Sequence, residues 1–410
     1  MADGAPTAPG AARAALSAVL TATFFVRFAF GITVAVFAAY LAHRTTGFTG
    51  SELGTAGLVS ALAPIGEFST VLFSGMAADR WGRFPVLFSG MGGAAALFVA
   101  IAATRSVVPL GAANLAFGVA SGAILAASLA VISDRSTVDV RGYEMGRFDA
   151  MNLFGWVAGY AFGLGIEQTL PNPELGAVFL AGAGAVAVGL LVAGRLVRRV
   201  VVESARPAFD LRRVVGLAFR RTVLVVTLPW LAIYSLLGTA LVFLGPAASG
   251  IGIRPGYLAL AIGGGGALLV VSQPYFGRLA DRRGRTQMMT VGSAGFVLVL
   301  LCASLLARYG LSVPLLVGLG LGVVLALAYG PAALAALADL AQAQGRATTM
   351  AIYSLTISLG MFVGLIASTG LYSRYGTVGL YPYFGAIAAV LVGLTAVRWR
   401  EAARATIPVR

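Results

Sequence analysis

Apolar runs of roughly 20 residues recur along the whole chain, and short polar segments separate them. A run of this length is enough for an α-helix to cross the hydrocarbon core of a bilayer. Because a lipid-exposed backbone must satisfy its own hydrogen bonds, each run is expected to be helical. The pattern predicts twelve spans, at about 14–42, 53–76, 85–104, 108–133, 144–168, 175–194, 222–248, 257–276, 287–306, 313–338, 349–371 and 380–397.

A sixteen-residue motif lies between two of these spans in each half of the chain. It reads GMAADRWGRFPVLFSG at residues 75–90 and GRLADRRGRTQMMTVG at residues 277–292. The ungapped copies are identical at seven positions, with an offset of 202 residues, and Arg141 repeats as Arg346 at an offset of 205. A repeat of this kind indicates two six-helix bundles related by an axis along the membrane normal.

Composition supports a membrane protein. The chain is 59% hydrophobic and only 11% charged, whereas a soluble domain has about 25% charged residues. We therefore predict an all-α polytopic membrane protein with twelve transmembrane helices in two pseudo-symmetric six-helix bundles. Four prolines, Pro229, Pro246, Pro274 and Pro331, are expected to kink their spans.

The arginines predict the orientation of the chain. All 29 basic residues are arginine, and 23 of them fall on tails and alternate loops, against five on the other loops and Arg27 within a span. This excess is the positive-inside pattern of an inner or plasma membrane protein with both termini in the cytoplasm, rather than a nucleic-acid site. The predicted division is a flexible tail (1–13), a first bundle (14–194), a cytoplasmic linker (195–221), a second bundle (222–397) and a cytoplasmic tail (398–410).

The central linker is the longest predicted loop. Its basic side chains, with apolar residues at helical spacing, indicate a segment that lies on the anionic inner leaflet. A regulatory binding site is the alternative interpretation.

The repeated motif resembles the signature loop of the major facilitator superfamily, G-x-x-x-D-R-x-G-R. The first copy matches it with Gly75, Asp79, Arg80, Gly82 and Arg83, and the second with Gly277, Asp281, Arg282, Gly284 and Arg285. Twelve spans and a central basic loop extend the resemblance over nearly the whole chain. The resemblance implies a monomeric secondary transporter that alternates access by rocking two bundles around a central site.

The resemblance also implies that the motif is a conformational latch. In the family, the carboxylate corresponding to Asp79 is thought to hold a helix of the second half. In this chain that helix would be span eleven, which begins near Arg346. The alternative is that these residues set only topology and turn geometry. The chain departs from the proton-coupled drug antiporters of the family, which have an arginine in place of Asn114 and a proline in place of Tyr160. Asn114 and Tyr160 are themselves candidates for binding the solute or protons.

Two charged residues, Arg27 and Glu67, are predicted to lie deep within spans. A charge at mid-bilayer costs at least about 2.5–3.5 kcal/mol, so each is expected to face a partner or a cavity. They are candidates for an ion pair, or for a proton-binding carboxyl group beside an arginine that binds an anionic solute. A fixed structural ion pair and direct solute contact by Glu67 are the alternatives to proton coupling.

Polar and aromatic side chains are the candidates in the second half, although such residues more often serve packing. They are Trp230, Tyr234, Gln273, Tyr329 and Tyr353, with Ser354. Glu144, Arg147 and Asp149 are predicted at the inner end of span five, with solvation or an interdomain salt bridge as their role.

The sequence indicates no enzyme, since no His, Cys or carboxylate set forms a catalytic cluster. We expect no metal site, because His43 has no partner at metal-ligand spacing, and no cofactor. The predicted function is secondary transport of a small organic solute, with protons as the coupling ion and Arg27 favouring an anionic solute. Proton-driven efflux of lipophilic drugs is the first alternative, and a membrane sensor that transports nothing is the second.

Overall fold

A computed structural model of the 410-residue chain describes residues 9–44, 52–104, 106–137, 139–167, 176–197, 216, 219–250, 255–340 and 346–405. The helices of the first half are α1 (Pro9–Arg44), α2 (Glu52–Trp81), α3 (Arg83–Ala103), α4 (Val107–Arg135), α5 (Arg141–Glu167) and α6 (Gly176–Val197). Those of the second half are α7 (Arg221–Gly250), α8 (Pro255–Arg283), α9 (Arg285–Tyr309), α10 (Val313–Ala326), α11 (Tyr329–Leu340), α12 (Arg346–Tyr375) and α13 (Leu380–Ala405). A short 3₁₀ turn, Gly376–Gly379, precedes α13.

Every predicted span corresponds to helix, and most helices extend a few residues further than the apolar run. α1 begins at Pro9, within the segment 1–13 that is predicted to be a flexible tail. Residues 198–215 of the predicted linker lie outside the described part of the chain. In the part that is described, ten helical segments are long and apolar enough to cross a membrane, counting α10 and α11 together.

The tenth span is divided into two helices. α10 ends at Ala326 and α11 begins at Tyr329, with Pro331 in its first turn. Proline has no backbone N–H, which removes one hydrogen bond from a continuous helix but costs little in a first turn. By contrast, α7 and α8 continue as helices through Pro229, Pro246 and Pro274.

The two signature turns have the same backbone geometry. Gly82 ends α2 with φ 103° and ψ 151°, and Gly284 ends α8 with φ 96° and ψ 141°. Residues with a β-carbon are strongly disfavoured at these φ and ψ angles, so glycine is required at both turns. We call the end of the molecule that carries these turns the latch end.

Packing within the first half does not follow the order of the helices along the chain. α1 packs on α5 and α6, while α2 packs on α4. A β-carbon at Gly31 would meet the backbone of Trp156 and Tyr160 in α5, so glycine allows the two helices to touch along their backbones.

The two halves meet along a seam, which is the contact of α2 with α12 and of α5 with α8. The rings of Phe68 in α2 and Phe362 in α12 lie 6.1 Å apart. On the other side of the seam, a β-carbon at Gly146 in α5 would lie 2.5 Å from the carbonyl oxygen of Gln273 in α8. The seam therefore brings side chains and backbone of the two halves into direct contact.

Candidate functional site

The second copy of the signature motif joins the two halves at the latch end. The carboxylate of Asp281, at the end of α8, accepts hydrogen bonds from the backbone amides of Gly142 and Tyr143, each 3.0 Å long. These amides belong to the first turn of α5, where backbone N–H groups have no partner within the helix. A carboxylate at a helix N-terminus is also favoured by the helix dipole, so Asp281 caps α5 across the seam.

Ion pairs surround this cap. Asp339, at the end of α11, pairs with Arg285 of its own half (Nε–Oδ2 2.7 Å) and with Arg141 of the other half (Nη1–Oδ1 2.6 Å). Arg285 also pairs with Asp281 at 2.9 Å. Arg141 is only 2% exposed, so one end of this interdomain pair is withdrawn from water. The latch end is closed in this structure.

The first copy has a matching arrangement within its own half. Arg83 pairs with Asp79 at 3.0 Å and with Asp134, at the end of α4, at 3.1 Å. Asp79 is buried. The residue predicted to mark its partner helix, Arg346, has a side chain outside the described part of the structure, so the contact of Asp79 with α12 stays a prediction.

Glu67 lies at the seam. Its side chain is 8% exposed, and its Oε1 accepts a hydrogen bond of 2.5 Å from the hydroxyl of Ser354 in α12. A buried carboxyl group thus connects the two halves through one short polar contact.

Arg27 does not pair with Glu67 in the described structure, because α1 and α2 face different neighbours. The guanidinium of Arg27 instead lies within electrostatic range of the carboxylate of Asp149 in α5. The Cζ atom of the Arg27 guanidinium also lies 5.7 Å from the centre of the Phe30 ring. The described part of the structure thus shows no ion pair between Arg27 and Glu67, and the roles of both residues stay predictions.

Asp149 corrects the interpretation of the inner end of span five. It was expected to be solvated or to form an interdomain salt bridge, yet it is only 6% exposed. Glu144 and Arg147 do form an ion pair, but with each other on α5, at 3.0 Å. Asp149 faces the second half, since a β-carbon at Gly330 in α11 would lie 2.8 Å from its Oδ2.

Aromatic residues of the second half surround this charged region. Trp230 and Tyr353 are buried, with ring centres 4.4 Å apart, and the hydroxyls of Tyr353 and Tyr234 lie 3.5 Å apart. Both tyrosines lie within electrostatic range of Arg27 and Asp149. Charges of the first half and aromatic groups of the second half therefore share one site.

The remaining candidates have different surroundings. Gln273 is buried beside Asp149, and its Oε1 has no hydrogen-bond partner. Tyr329 donates to the carbonyl of Val226, and Asn114 donates to the carbonyl of Val59 at 2.7 Å, so both brace helices of their own half. Tyr160 stacks on Trp156, with ring centres 6.0 Å apart.

Comparison with known proteins agrees with this architecture. The sequence model of the family described as Major Facilitator Superfamily matches residues 19–329 and 214–409, which together span most of the chain. The chain belongs to the Major Facilitator Superfamily. It is accordingly an integral membrane transporter and not an enzyme. No curated protein matches its sequence.

Solved structures of this superfamily share the fold. The human organic anion transporter MFSD10 (TETRAN) superposes with a TM-score of 0.75 at 16% identity, covering 96% of this chain and 100% of the other. The proton:xylose symporter XylE bound to 6-bromo-6-deoxy-D-glucose superposes with a TM-score of 0.72 at 12% identity, covering 94% of both chains. At these identities the likeness concerns the fold alone.

Asp339 was not predicted from the sequence, and Arg141 and Asp149 were named only as a repeat position and as part of a charged cluster. Asp339 carried a signal, because Asp134 and Asp339 are related by the 205-residue offset that relates Arg141 to Arg346. Asp149 carried a weaker one. It lies on the same face of α5 as Gly142 and Gly146, the small residues that allow close contact with α8.

For a superfamily transporter, this arrangement supplies two separable devices. At the latch end, Asp281 and Asp339 each contact groups of both halves. Away from the latch end, Glu67 contacts Ser354 across the seam, and Arg27 and Asp149 lie within electrostatic range of Tyr234 and Tyr353.

Proposed function

We propose that this protein is a proton-coupled secondary transporter of a small organic anion, working by alternating access. The observation that carries the proposal is the position of Glu67, a buried carboxyl group hydrogen-bonded across the seam to Ser354. A carboxyl group loses its charge on protonation, and its contact with the other half changes at the same moment. Proton binding is thereby coupled to the equilibrium between conformers.

Arg27 supports an anionic solute. It is a cation at the site formed by the two halves, and Trp230, Tyr234 and Tyr353 lie around the same region. A guanidinium binds a carboxylate through a pair of parallel hydrogen bonds, and aromatic faces add apolar contact for the rest of a small solute. Both fold relatives move small molecules, an organic anion in one case and xylose with protons in the other.

The arginine-rich turns support a cytoplasmic latch end, by the positive-inside rule. The conformer with a closed latch end then presents its site to the outside. Solute and protons are the expected partners, together with the lipids of an inner or plasma membrane around a monomer.

Reconstitution in liposomes tests the proposal. The purified protein is incorporated with a pH-sensitive dye inside, and small carboxylates, neutral sugars and lipophilic cations are added in turn. A small carboxylate should move protons in protein-containing vesicles and leave empty vesicles unchanged. Proton movement with lipophilic cations alone would favour the drug-efflux alternative, and absence of proton movement with every solute would overturn the proposal.

A further inference from the structure

A small pocket lies inside the first half, between α1 and α4. Its polar lining consists of Arg27 and Thr23 from α1 with Ser121 and Ser128 from α4, and aliphatic side chains close the rest. The cavity is about 10 Å³, which is about the space that one water-sized atom needs. No carboxylate lines the pocket among the residues that the structure describes.

Two of the hydroxyls in this pocket are unused. Thr23 is 3% exposed and Ser128 is fully buried, yet neither hydroxyl oxygen has a hydrogen-bond partner. Serine and threonine in helices commonly bond to the carbonyl four residues earlier, as Thr33 does with Ala29 at 3.0 Å. Buried polar groups are rarely left without a partner, so the free hydroxyls point to a ligand in the cavity.

The chemistry of the lining selects the ligand. A guanidinium supplies donors only, and hydroxyl groups can turn to donate as well. The pocket therefore offers positive charge and donors, which suit an anionic oxygen and disfavour a cation. The pocket has room for one oxygen atom. A carboxylate can place one of its oxygens there while its carbon and its second oxygen stay outside, against the guanidinium.

We propose that this pocket is the anion subsite of the transporter, and that it binds one oxygen of a carboxylate solute through Thr23, Ser128 and Arg27. The proposal rests on the transport function proposed above and specifies its substrate class as carboxylates. The rest of the solute then extends from the guanidinium toward Trp230 and Tyr353 in the second half.

Formate is the probe, with formamide as its uncharged isostere. Titration of the purified protein, followed by thermal unfolding and by intrinsic tryptophan fluorescence, should show stabilisation by formate and none by formamide. Thr23→Val and Ser128→Ala should each weaken formate binding about tenfold or more, which is the weight of one hydrogen bond to a charged group. Arg27→Gln should abolish it.

Matched controls separate binding from folding. Thr33→Val changes a buried threonine on α1, and Ser133→Ala a buried serine on α4, and both residues lie outside the pocket lining. Each control should bind formate as the unchanged protein does. Every variant should unfold at a similar temperature without formate if its fold is intact.

The outcomes distinguish the subsite from the transport function. Equal effects of formate and formamide, or undiminished formate binding by both Thr23→Val and Ser128→Ala, would overturn the subsite and leave a buried water as the occupant. Formate binding with the expected pattern, but without carboxylate-driven proton movement in liposomes, would preserve the subsite and overturn proton-coupled transport.

Discussion

The carboxylate of Asp281 lies 3.0 Å from the amide nitrogen of Gly142, and this contact joins the C-terminal end of α8 to the N-terminal end of α5 across the seam. The two residues belong to different halves of the repeat. The signature turn of the second half thus holds a helix of the first half, which is the mirror image of the role that the family resemblance implies for Asp79 and α12.

Asp281→Ala should shift the protein toward conformers with an open latch end. The substitution removes the acceptor of two amide hydrogen bonds, and bonds to a charged group contribute about 1.5–3 kcal/mol each. Even partial loss changes the ratio of conformers by about tenfold or more. Spin labels at Trp81→Cys and Arg283→Cys, on a Cys302→Ser background, would report the distance between the two turns.

Glu144→Ala is the control for the latch experiment. Glu144 lies at the same end of α5, but its ion pair with Arg147 stays within one helix. The control should keep the distance distribution of the unchanged protein. A latch role for Asp281 is refuted if both variants give that same distribution.

Gly146→Ala should prevent full closure of the latch end. A β-carbon at this position would lie 2.5 Å from the carbonyl oxygen of Gln273, which is backbone and cannot rotate away. Gly184→Ala is the matched control, because a β-carbon there meets nothing within 4 Å. The first variant should lengthen the spin-label distance and lower the thermal unfolding temperature. The second should leave the distance unchanged and raise helix stability by about 0.5–1 kcal/mol.

Much of this fold could be predicted because its determinants are local. Apolar run length predicted the spans, and the signature glycines predicted both turns, since each depends on residues adjacent in the chain. The electrostatic neighbour of Arg27 depends instead on which helices touch. The order of the helices along the chain predicts contact between α1 and α2, and therefore between Arg27 and Glu67. Backbone contact at Gly31 instead brings α1 against α5.

Asp149 illustrates the same limit within a single helix. The apolar run of span five begins near residue 144, which placed Asp149 close to a loop. The helix in fact begins at Arg141, so Asp149 lies eight residues in, about 12 Å along the axis. Its burial then follows from packing on α8 and α11, which no pattern within α5 alone can specify.

Glu67→Gln should abolish transport driven by a pH gradient while sparing solute exchange. The amide retains the size of the side chain and can still accept the hydrogen bond from Ser354, but it cannot take up and release a proton. Counterflow and gradient-driven uptake in liposomes measure the two activities separately. Gradient-driven uptake at the normal rate in this variant would exclude Glu67 as the coupling group.

Ser354→Ala is the companion variant to Glu67→Gln. It removes the contact across the seam but keeps the carboxyl group. If Glu67 carries the proton, this variant should retain gradient-driven uptake at an altered rate. Loss of that uptake in Ser354→Ala and its retention in Glu67→Gln would assign a purely structural role to the contact.

Asp149→Asn should strengthen the binding of formate. In the unchanged protein the carboxylate of Asp149 and a bound anion both draw on the positive charge of Arg27, so each weakens the other. Coupling between two such sites is commonly 1–3 kcal/mol, and we expect the affinity for formate to rise at least about fivefold. Titration followed by thermal unfolding, as for the pocket variants, measures this change. Glu144→Gln is the control, since that carboxylate pairs with Arg147 and should leave the affinity unchanged.

The same competition predicts a dependence on pH. Among the residues that the structure describes, the charged or titratable groups around Asp149 are Arg27 from α1, Tyr234 from α7 and Tyr353 from α12, while α8 and α11 contribute the neutral Gln273 and Gly330. Protonation of Asp149 removes its charge, so formate binding by the unchanged protein should strengthen as the pH falls. Asp149→Asn should lack this dependence, because it is neutral throughout. An unaltered pH dependence in that variant would show that Arg27 is not shared between the carboxylate and the anion, and the coupling of proton and solute would then fall to Glu67 alone.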